Sequence, residues 1–239
     1  MNRFALNYLS QTNSPLTLNT TLLPKSVFNK RLTFYVCSFG GSGSTVLFNY
    51  LSQFGNVEHV HDRLPPAKLT YVGNKNVNTE TSLSVYSEWF NTIEVPEKEL
   101  SNIKVIFIYR NPLDVIYSRF AFQNGQPHVE HLKHIMCKNN GNIKLRDVLN
   151  SATDLYGMEE FFDNYTRPNN RNYKIYCVKY EMFWDNIGVF NQLLGIPDIK
   201  QLYPQKSERK KTIYFKDQLN KIYLPLIKKM NSNTFIKLV

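Results

Sequence analysis

The 239-residue chain holds 42% hydrophobic residues and 14% aromatics, a composition that builds a core and excludes a disordered chain. Its length suits one well-buried domain and is short for two. The formal charge of +10 attracts polyanions, anionic surfaces or multiply charged small ligands, yet apart from Lys206 to Lys211 the basic residues are scattered. No basic stripe interleaved with aromatics stands out, which argues against nucleic acid as the main ligand.

In chain order, residues 1–30 are rich in Asn, Thr, Ser and Pro and show no sustained period, which predicts an irregular N-terminal arm. Leu32 to Ser38 is a continuous apolar run ending in glycines, the pattern of a strand buried on both faces. Leu47, Tyr50, Leu51 and Phe54 then fall on one face of a helix that Gly55 stops. A short extended piece, Val57 to Val60, leads into Pro-Pro and a polar loop through the seventies. Lys104 to Tyr109 is the second buried strand. Asn111 is suited to cap the next helix and Pro112 to open it, with Leu113, Ile116, Tyr117 and Phe120 as its apolar face. Residues 124–143 are polar and read as an excursion; Leu145, Val148, Leu149, Ala152 and Leu155 begin another helix. Tyr173 to Lys179 is a third strand, followed by a helix through Phe183, Ile187, Phe190 and Leu194 that Gly195-Ile196-Pro197 closes. Leu219, Ile222, Tyr223, Leu226 and Met230 mark a last helix, with a kink expected at Pro225. Apolar strands alternating with helices predict an α/β domain over residues 31–239, a three-layer sandwich around a mainly parallel sheet. Ligands of such sheets bind beyond the carboxyl ends of the strands.

Cysteines 37, 137 and 177 are few and odd in number, which predicts free thiols in a reducing compartment. Met1 to Tyr8 lacks the apolar core of a signal peptide, and no apolar run approaches the roughly 18 residues that span a bilayer. The expectation is a soluble, cytoplasmic protein.

Two segments carry the chemistry. Cys37-Ser38-Phe39-Gly40-Gly41-Ser42-Gly43-Ser44-Thr45 is a glycine-rich turn between a strand and a helix, and such a turn offers backbone N–H groups to an anion. Measured against the triphosphate-loop pattern G-x-x-x-x-G-K-[ST], Ser38 stands at the leading glycine and Ser44 at the lysine, which disfavours a P-loop phosphotransferase. The second segment is Tyr109-Arg110-Asn111-Pro112-Leu113-Asp114-Val115-Ile116-Tyr117-Ser118. Here a guanidinium leaves a strand at its carboxyl end, suited to bidentate phosphate binding; pairing with Asp114 is the plain structural alternative.

Together with Val178-Lys179-Tyr180-Glu181 and a helix ending in Leu194-Gly195-Ile196, these segments resemble the sulfotransferases that use 3′-phosphoadenosine-5′-phosphosulfate (PAPS). The likeness covers about residues 32–197. It implies a P-loop-like strand–turn–helix site in which Gly40, Gly41, Ser42, Gly43, Ser44 and Thr45 cradle the 5′-phosphosulfate, and Arg110 and Ser118 hold the 3′-phosphate. Tyr180 would lie near the adenine, with Arg209 and Lys210 closing over the 3′-phosphate. The implied reaction moves a sulfuryl group from PAPS to a hydroxyl or amine, leaves adenosine 3′,5′-bisphosphate and needs no metal; the acceptor is a small molecule, carbohydrate or peptide.

The chain departs from the family at Gly41, where many members carry a lysine or arginine, and at Val46, where an adenine-stacking aromatic often follows. A non-catalytic adenosine-bisphosphate binder therefore stays open. For the general base, Glu58-His59-Val60-His61-Asp62-Arg63 is the best segment. His61 has an ordinary pKa suited to proton transfer near neutrality, Asp62 is either the base or its orienter, and Arg63 is the candidate for the positive charge absent at Gly41. His128, His131 and His134 lack the partners of a metal site. Trp89 and Trp184 read as packing residues.

Overall fold

The computed structural model describes residues 32–74, 87–89, 93–121, 143–206 and 215–239. The predicted arm, the histidine cluster at 128–134, Cys137, and Arg209 and Lys210 lie outside them.

One seven-stranded sheet organises the chain, in the order β3-β4-β2-β1-β5-β6-β7. Its strands are β1 (Leu32–Cys37), β2 (Gly55–Val60), β3 (Gly73–Asn74), β4 (Ser87–Glu88), β5 (Ile103–Tyr109), β6 (Ile175–Lys179) and β7 (Ile236–Leu238). The five from β4 to β6 in that order pair in parallel; β3 and β7 join antiparallel, one at each edge. The expected mainly parallel α/β sheet is therefore present.

Alternation along the strands builds two cores. Tyr35, Cys37, Val105, Phe107, Tyr109, Ile175 and Cys177 point to one side, and Phe34, Val36, Ile106, Ile108 and Val178 to the other. On the first side pack α3 (Pro112–Ile116), α4 (Leu145–Ser151), α5 (Met158–Thr166) and α8 (Lys216–Asn231). The second side is covered by α1 (Ser44–Leu51), α6 (Tyr180–Phe183) and α7 (Ile187–Leu194), while α2 (Glu97–Leu100) precedes β5. Burying β1 and β5 on both faces explains why they read as unbroken apolar runs.

A buried hydrogen bond ties α1 to α7: Tyr50 Oη donates to Asn191 Oδ1 at 2.8 Å, and Asn191 Nδ2 donates to Asp198 Oδ1 at 2.9 Å. Gly195 closes α7 with a left-handed φ of 72°, as its place after Leu194 predicts. The kink expected at Pro225 does not divide α8, which runs through it as one helix. Cys37 and Cys177 are buried free thiols. Trp89 packs edge-on against Tyr35, and Trp184 against Tyr180 and Phe183.

Candidate functional site

The turn after β1, the residues after β2, Arg110 after β5 and Tyr180 after β6 stand at the carboxyl ends of four adjacent parallel strands. That edge is where an open parallel sheet presents ligand-binding groups.

The turn from Ser38 to Gly43 is built from left-handed glycines: φ is 89° at Gly40, 70° at Gly41 and 93° at Gly43. Side chains are rare in that conformation, so backbone lines the turn; Gly40 N donates to Ser38 Oγ at 3.1 Å, and Gly43 hands the chain to α1, whose Val46 N donates to Gly43 O at 3.0 Å. Ser42 and Ser44 are buried in the turn, whereas Thr45 is exposed on the first turn of the helix. The end of β2 buttresses it. Ser38 N donates to Val60 O at 3.1 Å, His61 Nδ1 lies 2.7 Å from Ser38 O, and His59 Nε2 lies 3.1 Å from Ser44 O.

Arg110 and Tyr180 join the turn to the opposite side of the site. Arg110 Cζ lies 4.4 Å from the centroid of the Tyr180 ring, a cation–π contact. The same ring fills the space beside Gly43, where a Cβ would sit 2.3 Å from Tyr180 Cε2. Glu181 accepts from Asn111 N at 2.7 Å. Three separated sequence segments thus meet at Gly43, Arg110 and Tyr180. The ion pair between Arg110 Nη2 and Asp114 Oδ2, at 3.3 Å, is also present, so the guanidinium is held from two directions. Asn111 caps α3 through its Oδ1, which accepts from Leu113 N at 2.9 Å.

After α3 the chain continues as a π-helical stretch, Tyr117–Ala121. Ser118 and Arg119 lie on it, and a Cβ at Gly41 would meet Ser118 Cβ and Arg119 Cγ at 3.4 Å each. Ser118 therefore adjoins the glycine turn. Arg119, which the sequence reading passes over, is buried there with 5% exposure; its place directly after Ser118, an expected phosphate ligand, is the signal for it.

The residues after β2 stand differently from their sequence expectation. Burial, with the Arg119 guanidinium and His59 adding to it, lowers the His61 pKa to about 3. The ring is neutral at physiological pH and weakly basic, not tuned near neutrality as its ordinary value predicts. Asp62 Oδ2 accepts from Trp89 N at 2.5 Å, and Asp62 O accepts from Tyr165 Oη at 2.8 Å. Arg63 turns to α5, where its guanidinium pairs with Glu160 and lies against Gly157. The guanidinium that lies against the glycine turn is that of Arg119.

Among the described residues no three His, Cys, Asp or Glu gather as metal ligands, and no helix is long and apolar enough to cross a membrane. A cavity of about 290 Å³ opens beside the start of α3, lined in part by Asn111, Asp114, Lys179 and Glu181. Its polar groups bond to protein: Asp114 to Arg110, Glu181 to Asn111 N, and Lys179 to Asn231.

The sheet is of the open, mainly parallel α/β class, and it carries the glycine turn and Arg110 at its carboxyl edge. The family model for the sulfotransferase domain matches residues 33–194, more than half of the chain, and the chain belongs to that family. No curated protein and no solved structure matches it.

Proposed function

We propose that this sulfotransferase takes PAPS as its donor and a hydroxyl or amine as its acceptor. The observation that carries the reading is the meeting of the glycine turn, Arg110 and Tyr180 at one sheet edge. The residues fit the group: a turn whose glycines leave room for backbone approach, hydroxyls at Ser42 and Ser44, and a guanidinium held in place by Asp114 and Tyr180. When bound, PAPS supplies an activated sulfuryl group carried on a phosphate.

In this reading the amides and hydroxyls of residues 40–45 hold the 5′ end of the donor. Arg110 and Ser118 hold the 3′-phosphate, each charge-assisted hydrogen bond contributing roughly 1.5–3 kcal/mol, with Arg209 and Lys210 assigned to the same group. Asp62 takes the acceptor proton, a better choice than the weakly basic His61, whose part is to fix Ser38 and the turn. Arg63 positions the 62–63 segment on α5 through Glu160. A cytoplasmic setting, with Cys37 and Cys177 kept as thiols, belongs to the same proposal.

Adenosine 3′,5′-bisphosphate should bind far more tightly than AMP, and Arg110→Ala should remove most of that preference; equal affinities by calorimetry refute the donor assignment. A non-catalytic binder is the second reading, favoured by the missing side chain at Gly41. PAPS consumption separates the two. Asp62→Asn should lower turnover about 10²-fold while bisphosphate affinity is kept.

A further inference from the structure

We propose that Arg119 is the cation of the glycine turn, facing the 5′-anion of the donor in place of a basic side chain on the turn itself. This rests on the donor reading above.

The turn brings no charge of its own, since Gly40, Gly41 and Gly43 present only backbone. A charge arrives from the neighbouring element. The stem of Arg119 passes Gly41, and its guanidinium lies against Gly40, where a Cβ would stand 1.3 Å from Nη2 and 2.4 Å from Cζ. A glycine at 40 is therefore what admits the guanidinium. Arg119 reaches this place from the π-helical stretch that also carries Ser118. A π turn re-aims side chains relative to the helix before it and occurs often at functional sites.

The surroundings favour an anion. The amino end of α1 carries about half a positive charge, and the buried guanidinium adds a full one beside it. His61, packed between Ser38 and His59, is held neutral. Guanidinium also matches phosphate and sulfate oxygens with two parallel N–H bonds, which a lysine does not.

Calorimetry with adenosine 3′,5′-bisphosphate and adenosine 3′-monophosphate tests the assignment, because only the first carries a 5′-anion. Arg119→Met should weaken the bisphosphate about tenfold or more and leave the 3′-monophosphate within about threefold of wild type. Arg119→Lys should recover part of the loss. Gly40→Ala approaches from the other side, since its Cβ enters the guanidinium's volume, and should also give a ligand-selective loss; Arg119→Gln takes the place of Arg119→Met if that variant does not fold. Equal losses for both nucleotides, or none in a folded variant, overturn the inference. A wild-type protein that does not prefer the bisphosphate to AMP overturns the donor reading, and this inference with it. A wild type that prefers the bisphosphate to AMP, beside a folded Arg119→Met that keeps wild-type bisphosphate affinity, overturns this inference alone.

Discussion

His61 shows how burial reassigns a residue. A histidine between a strand end and a glycine turn reads as a base near neutrality, but once packed beneath Ser38 its charged form is disfavoured. Between its ordinary value of 6.5 and about 3 the unfolded chain binds a proton that the folded chain does not. Stability should therefore fall as pH drops below about 6.5, by up to about 1.4 kcal/mol per pH unit. Urea denaturation from pH 7 to 4.5 should show this slope in the wild type and a flatter one in His61→Asn; equal slopes refute the neutral assignment. Arg63 and Arg119 teach the same lesson. Sequence distance makes Arg63 the natural neighbour of the base segment, yet Glu160 holds it on α5, and the arginine at the turn comes from another strand's helix. Nothing in a one-dimensional reading ranks two arginines that tertiary packing alone tells apart.

Among the elements, those buried on both sides were legible and those made by pairing were not. β1, β5 and β6 announce themselves as apolar runs because helices cover both faces. β3, β4 and β7 are two or three residues long and exist only through their neighbours. The α5 stripe of Met158, Phe161, Phe162 and Tyr165 has helical spacing and was readable, yet it escapes a reading that moves from strand to strand. The π turn has no such signal, since its bonding differs from an α-helix while its composition does not. The start of α3 was legible in detail, because an Asn-Pro pair encodes its own cap. Asn111→Ala removes the acceptor for Leu113 N and should cost about 1 kcal/mol by chemical denaturation, with Arg110 left in place. A loss within error would mean that the cap is made some other way.

For the whole molecule, the sheet aligns four strand ends, and the net charge of +10 surrounds them with a field that favours anions. Steering by that field is screened by salt, with a Debye length of about 10 Å at 0.1 M. Bisphosphate affinity should fall steadily as salt rises from 50 to 500 mM, and adenosine affinity should not; parallel behaviour of the two would assign binding to the nucleoside alone.

The contact between Gly40 and Arg119 also has a meaning in descent. The two positions compete, since a side chain at 40 would enter the volume that the guanidinium now fills. A side chain at 41 meets a left-handed backbone and the carbonyl of Val115 at 3.2 Å. A basic residue at 40 or 41 therefore meets an obstacle that the arginine on the neighbouring helix does not. Among relatives, a glycine at 40 and an arginine at 119 should be inherited as a pair.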